Sequence, residues 1–267
     1  MSTLATLTDT LKLSRKGKSF KDKITAFLLA GFPKLGTHRD LARAWWLRQL
    51  NKRCVSGQLQ VSLVIAGRPV LFSMREGNEG DYTVGGELIA EIYTKPGFKP
   101  KSVIDGGANI GMFSVLANAY FPGIRITAYE PDEENFAQLL INLKQNNINS
   151  LARNLGLWSK TTTLYFHKDL SQIGYVDENP PGFAINCEVP EISDEQWMKL
   201  DIEGAEYQVL PAVLDQAIKP KFFSLEVHHM KKNGSHLLDL LTNNGYLLMG
   251  DKDSSEDCFV VDGLRKG

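Results

Sequence analysis

Several things are scarce in this sequence, and each scarcity excludes something. Cysteine is one. Cys54, Cys187 and Cys258 are scattered, odd in number, and form no Cys-x-x-Cys pair or Cys/His ligand spacing. This argues against a disulfide framework and a structural zinc site, and for a reducing compartment. Long apolar runs are missing too. The longest near the start, Ile24 to Phe32, is too short to span a bilayer. The opening MSTLATLTDTLKL lacks a positively charged leader followed by an apolar stretch. A secretory signal is therefore not expected, and a cytoplasmic location is. Net charge is almost nil, at −1, so the overall balance gives no reason to expect nucleic-acid binding. There is no internal repeat and no low-complexity segment.

What is present is ordinary in amount: 43% hydrophobic and 23% charged residues, enough over 267 residues to bury a sizeable core. The charge is unevenly placed. Residues 1–55 carry 12 Lys/Arg against 3 Asp/Glu, a balance of +9, and the remainder balances at −10. A basic arm on an acidic body suits an anionic surface, whether the inner face of a membrane, nucleic acid or another subunit. It suits equally a helical extension docked on its own acidic domain. Ser19 is placed to cap a helix carrying Ile24, Phe27 and Leu28 that stops at Gly31 and Pro33. Thr37 is placed to cap the next, with Leu41, Trp45 and Leu50 near one face. The spans read as a basic helical extension over 1–55, a β-hairpin and lead-in helix over 56–95, and a ligand-binding domain over 96–267.

Alternation of Val61, Leu63 and Ile65, punctuation by Gly67-Arg68-Pro69, and resumption at Val70 and Phe72 predict a hairpin over 58–74. Gly77 to Gly86 reads as a glycine-rich acidic loop before a short helix over Glu87 to Tyr93. From Lys101 the pattern becomes regular. Strands are expected at Ser102–Ile104, Ile124–Tyr129, Trp197–Leu200, Phe222–Val227, Tyr246–Met249 and Phe259–Val261. Helices are expected from Asn109 to Tyr120, from Pro131 onward, from Gly204, and around Leu237 to Leu241. Residues 153–166 give two short strands, and 167–195 read as irregular. Strands alternating with helices predict an α/β fold with a mainly parallel sheet. The last two strands, joined by the acidic turn Asp251 to Asp257, predict a C-terminal antiparallel hairpin.

In open α/β sheets ligands bind at the carboxyl ends of the strands. Val103-Ile104-Asp105-Gly106-Gly107-Ala108-Asn109-Ile110-Gly111 is such an end. Its glycines let backbone approach a ligand, and the following helix offers free N–H groups. Glu130 ends the next strand, 25 positions after Asp105. A carboxylate there accepts two hydrogen bonds from a ribose diol. Together these read as a site for a nucleoside-containing cofactor. The glycines at 106, 107 and 111 do not match the G-x-G-x-x-G of a dinucleotide loop. Asp105 would repel a pyrophosphate and suits a sulfonium or an amino group. S-adenosylmethionine is therefore preferred over NAD.

Five segments carry a family resemblance: VIDGGANIGMFSVLAN, AYEPDEENF, NLGLWS, MKLDIEGAEYQVL and FFSLEVHH, in this order over roughly residues 80–262. Together they resemble the FkbM-type methyltransferases. The resemblance implies a class I methyltransferase (Rossmann-like) seven-stranded sheet, S-adenosylmethionine as cofactor, and O-methylation of polyketide or sugar hydroxyls. It implies that Asp105, Gly107 and Asn109 line the methionine part, that Glu130 holds the ribose, and that Asn154 to Leu157 flank the adenine. The cofactor candidates are then Asp105, Gly106, Gly107, Asn109, Gly111, Glu130, Pro131, Asn154 and Leu157. The basic arm lies outside the shared pattern.

Transfer of a methyl group to an alcohol needs alignment, a base or a metal, and exclusion of water. Asp201 ends the fourth core strand and Glu203 follows it, and either is a candidate base. Asp201 is equally placed to cap the helix starting near Gly204. Glu226 and His228 alternate on the next strand, so their side chains share a face, and His228 is a third candidate. His229 points oppositely. A metal site from Asp201, Glu226 and His228 is a further option that the spacing does not demand. The segment Asn179-Pro180-Pro181-Gly182-Phe183 resembles an amino-methyltransferase motif but has glycine where an aromatic is needed, and reads as a rigid turn. Two other functions fit part of the pattern: an NAD-dependent oxidoreductase, and a non-catalytic methyltransferase-fold interaction module.

Overall fold

The structure is a computed structural model that describes residues 3–32, 40–168, 174–177, 180, 182–228, 234–250 and 258–265. Pro33, Thr37, Asn179, Pro181, His229 and the acidic turn Asp251 to Asp257 lie outside the described residues. Along the chain the elements are α1 (Thr3–Ser14), α2 (Phe20–Gly31), α3 (Asp40–Asn51), β1 (Gln58–Ile65), β2 (Arg68–Arg75) and α4 (Glu79–Ala90). Next come β3 (Ser102–Gly106), α5 (Met112–Tyr120), β4 (Arg125–Tyr129), α6 (Glu133–Gln145), β5 (Ser150–Arg153), β6 (Gly156–Leu157) and β7 (Thr162–Lys168). The chain continues through β8 (Gly174–Asp177), β9 (Phe183–Glu188), β10 (Gln196–Leu200), α7 (Glu206–Leu214), β11 (Phe222–His228), α8 (Ser235–Asn243), β12 (Tyr246–Met249) and β13 (Cys258–Arg265). No helix among the described residues is long and apolar enough to cross a membrane.

These elements pack as two compact units. One comprises residues 1–93, 110–122 and 137–148; the other comprises 94–109, 123–136 and 149–267. The spans read along the sequence follow chain order, whereas the units follow packing.

In the first unit, Ser19 caps α2 through a capping box with Asp22, as its position predicts. The basic arm is tied to the hairpin of β1 and β2: Lys18 N donates to Ser62 O and Val64 N to Lys16 O. Lys16 pairs with Glu91 and Arg43 with Glu79, so part of the arm's charge is answered within the unit. The expected loop over Gly77 to Gly86 is instead the start of α4, capped by Asn78, whose side chain accepts from Asp81 N. The glycines read as loop because their packing reason is tertiary. A Cβ on Gly85 would sit 2.5 Å from Met74 Sδ. Asp81 itself is buried and grips Arg75 through both carboxylate oxygens. The outer edge of β2 is covered by amides of α6. Asn142 and Asn146 accept from Ser73 N and Leu71 N, while Gln138, Asn142, Gln145 and Asn146 donate to the carbonyls of the same two residues. Four side chains thus play the part of a neighbouring strand and close an edge that would otherwise invite pairing.

The second unit holds the seven-stranded sheet, in the order β12-β13-β11-β10-β3-β4-β5. All neighbours pair in parallel except β13, which runs antiparallel to β11 and β12. This is the class I methyltransferase sheet with its C-terminal hairpin. Strands β3 and β10 are buried at every position, as central strands of a parallel sheet must be. Met198, Leu200, Phe223, Leu225 and Val227 form the core with Val209, Leu210 and Val213 of α7 and Leu237 and Leu241 of α8. Inside it Trp197 Nε1 donates to Ser224 Oγ, which donates to Asp262 Oδ1 at 2.7 Å. That chain satisfies the polar groups of three adjacent strands. The stretch read as irregular contains β8 and β9, which pair with β7 in a four-stranded sheet, β6-β9-β7-β8. Ile185 and Cys187 of β9 are more buried than exposed Asn186, but exposed Phe183 and Ala184 at its start blur the alternation. Phe183, at its start, is 73% exposed.

Parallel strands share a direction, so the carboxyl ends of β3, β4, β10 and β11 lie along one edge of the sheet. In register, Asp105 faces Lys199 across β3 and β10, and Gly106 faces Tyr129 across β3 and β4. This places Asp105, Glu130, Asp201, Glu226 and His228 at neighbouring tips.

Candidate active site

On the β3–β4 side the backbone does most of the shaping. Gly107 has φ +71 and Asn109 φ 48. A Cβ on Gly107 would overlap the carbonyl oxygen of Asp201, and one on Gly106 would stand 2.8 Å from Leu157 Cδ1. Both glycines are therefore demanded by contact between strand tips. Gly111, at φ 92, begins α5 and packs against Leu139. The helix itself starts at Met112, three residues later than its pattern suggests, after the left-handed turn.

Glu130 is 5% exposed. Its Oε2 accepts from Asn109 N at 2.7 Å and its Oε1 from Asp132 N at 3.0 Å. The tip of β4 is thereby laced to the loop after Asp105, and Ala108 N adds a bond to Tyr129 O. Burial pushes the Glu130 carboxyl up to about 7, against the two backbone donors that favour its charge. A buried carboxylate with one donor on each oxygen has acceptor capacity left for a diol. The residues present thus fit a nucleoside ribose. Pro131 precedes α6 by two positions; Asp132 caps the helix by accepting from Asn135 N. Asn154 Nδ2 donates to the carbonyls of Glu130 and Pro131 and so braces this turn. Leu157 is 4% exposed and belongs to the core beneath Gly106.

Between the two sides lies Lys199, 3% exposed within β10. Its Nζ donates to Gly107 O at 2.6 Å and stands 3.3 Å from Asp201 Oδ2 and 3.7 Å from Asp105 Oδ1. Burial works against its charge, but Asp201, Asp105 and Glu226 prevail and hold its pKa above the usual lysine value. One cation therefore ties the cofactor loop to the acceptor side. It offsets one of several carboxylates, so the edge retains an acidic excess suited to a cationic ligand.

On the β10–β11 side His228 sits among carboxylates. Its Nδ1 lies 2.9 Å from Glu206 Oε1. Its Nε2 lies 3.2 Å from Glu203 Oε2 and 3.9 Å from both Asp201 Oδ1 and Glu226 Oε1. Glu203 adopts the left-handed conformation, φ 54, which turns its side chain toward the histidine. Burial, and then the neighbouring Asp201, Glu226 and Glu206 charges, push its carboxyl up to about 7 against the pull of His228. Asp201 does not cap α7: the helix starts at Glu206, and its N-cap, Ala205, makes no side-chain bond. Ligand atoms of Asp201, Glu203 and His228 lie within 4.8 Å of one another, a spacing that admits a small cation. The direct 3.2 Å contact of histidine with glutamate is equally that of two groups sharing a proton, a geometry that admits proton transfer.

The profile of the Methyltransferase FkbM domain matches residues 105–248, which begins at Asp105 and takes in all of these tips. The chain belongs to the FkbM methyltransferase family. Methyltransferase 1 of Beauveria bassiana (strain ARSEF 2860) is 26% identical over 146 residues, 43% of this chain and 59% of that protein. Methyltransferase FkbM from Methylobacillus flagellatus KT has a similar structure, with TM-score 0.45 and 12% identity over 98% of this chain and 58% of that one. TYW2 of M. jannaschii, in complex with AdoMet, gives TM-score 0.41 and 14% identity over 80% of this chain and 90% of that one. The chain thus spans under two thirds of the length of the first two. Within this FkbM domain, sequence reasoning missed Lys199 and Glu206. A lysine inside an otherwise apolar strand was the available signal for the first. The second carried none, because a glutamate in the first turn of a helix is ordinary.

Proposed function

We propose that this FkbM-family chain is an S-adenosylmethionine-dependent methyltransferase that methylates a hydroxyl oxygen of a small molecule, of the sugar, glycan or polyketide kind. The observation that carries the reading is the junction of two half-sites on one sheet edge. Asp105 and Glu130 stand on one side, where they would hold an adenosyl sulfonium, and a histidine ringed by carboxylates stands on the other, with Lys199 between.

When bound, S-adenosylmethionine would supply the methyl group. Ionised Glu130 would accept the ribose hydroxyls, while Asp105 and its acidic surroundings would favour the cation. His228 Nε2 takes the proton of the acceptor hydroxyl as the oxygen attacks. Glu203, with a carboxyl near neutrality and part-exposed, passes that proton to solvent. Asp201 orients the acceptor and stabilises the imidazolium.

The test is titration of the purified chain with S-adenosylhomocysteine and, separately, with NAD, followed by methyl transfer to a panel of hydroxylated acceptors. Micromolar binding of the homocysteine nucleoside without NAD binding, and a methyl ether product, are expected. Tight NAD binding alone would assign an oxidoreductase. Nucleoside binding with no product from any acceptor would favour the interaction module. A second arm repeats turnover after chelation, and undiminished rate is expected for a histidine base.

A further inference from the structure

Glu206 is fully buried at the start of α7, yet its carboxylate carries three polar contacts. Oε1 accepts from Ile202 N at 2.9 Å and faces His228 Nδ1 at 2.9 Å; Oε2 accepts from Gly204 N at 2.8 Å. An ionised carboxylate only accepts hydrogen bonds. Nδ1 must therefore bear a proton, and the neutral ring is the Nδ1–H tautomer, with Nε2 turned toward Asp201 and Glu203. The same carboxylate pins the turn on either side of Glu203, the residue whose Oε2 lies 3.2 Å from Nε2. Tyr207, next in the helix, donates to His228 O at 2.7 Å and holds the strand end in place.

We propose that Glu206 is a positioning residue: it fixes the tautomer and ring orientation of His228 and, through the turn it pins, the placement of Glu203. Glu206 touches neither cofactor nor acceptor and acts through those two residues. The consequence for catalysis rests on the proposed role of His228 as base; the tautomer itself does not. Among the described residues, the charged groups facing the ring include Glu206 from α7, Asp201 and Glu203 from the turn after β10, and Glu226 from its own strand, with Lys199 beside Asp201. On β13 its register partner is Cys258.

The experiment is long-range 1H–15N NMR of the full chain labelled at histidine, with S-adenosylhomocysteine added. The sequence has five histidines, and the His228 signals are identified by their loss in His228→Gln. Wild type is expected to show the Nδ1–H tautomer above the ring's titration. Glu206→Gln keeps the shape but removes the charge and one acceptor. It is expected to give a tautomer mixture and to move the His228 midpoint to lower pH, because the carboxylate that favoured the imidazolium is gone. Glu206→Asp should restore part of both. If an acceptor is found, the Gln variant should lose kcat with little change in KM, and the acidic limb of its rate profile should follow the NMR midpoint. A wild-type Nε2–H tautomer, or an unchanged tautomer and midpoint in Glu206→Gln, would overturn the proposal. The wild-type spectrum decides even if the variant does not fold. It also decides when no acceptor is methylated, so failure of the catalytic reading is told apart from failure of this one.

Discussion

Glu130 and Glu203 carry carboxyls displaced upward from 4.5 to about 7, chiefly by burial. Between those values the folded chain holds protons that the unfolded chain has released, so stability falls as pH rises through this window. Urea unfolding of the ligand-free protein at pH 5, 6 and 7 is expected to show this decline, and Glu130→Gln should flatten it. Ligand binding has the opposite sign. In the proposed role the ionised form accepts two ribose hydroxyls, so affinity for S-adenosylhomocysteine should rise from pH 6 to pH 8. Hydrogen bonds to a charged group contribute roughly 1.5–3 kcal/mol, so Glu130→Ala is expected to weaken that affinity roughly ten- to a hundredfold in calorimetry. Asp201→Ala should leave affinity nearly intact and mainly lower kcat.

The residue scale is also where the sequence spoke most clearly. An acid before two glycines and a second acid ending the next strand were legible without coordinates, and the structure sets both at neighbouring strand tips. Two partners were invisible. Lys199 matters because the fold places it between Asp201, two positions away in the chain, and Asp105, ninety-odd positions away. Glu206 matters because α7 swings it under β11.

At the level of elements, strands and helices with strong apolar periodicity were legible; those defined by a partner were not. α4 was hidden by Gly85 and Gly86, and at Gly85 Met74 leaves no room for a side chain. β9 was hidden because its pairing with β7 is long-range and its exposed Phe183 and Ala184 blur the alternation. The amide row on α6 reads as a polar helix face, but it closes the edge of β2. Asn142→Leu would strip Ser73 N of its acceptor and Ile110 O of a donor. Leaving buried groups unpaired costs about 1–3 kcal/mol each. Thermal unfolding should show a fall of several degrees, and a Gln138→Leu change, which removes one bond to Ser73 O, should cost less.

For the whole molecule, the chain passes back and forth between its two units. Residues 1–93 pack in the same unit as α5 and the latter part of α6. Tyr93 stacks edge-on against Phe113 of α5, and β2 is bonded to the α6 amides. Expressing residues 94–267 alone would strip those helices of their partners. Such a fragment is expected to aggregate or to bind a hydrophobic dye, whereas the full chain does not. A folded, monomeric fragment that binds S-adenosylhomocysteine with wild-type affinity would show that the first unit is dispensable for the second.

By itself the sequence determined the α/β class, the strands' parallel character, and the residue types at the sheet edge, because hydrophobic period and strand-end residues are local properties. Tertiary structure alone decided which glycines are forced by close contact, which lysine stands between Asp105 and Asp201, and which glutamate contacts His228 Nδ1. Those depend on distances between segments far apart in the chain, and no local pattern encodes a distance.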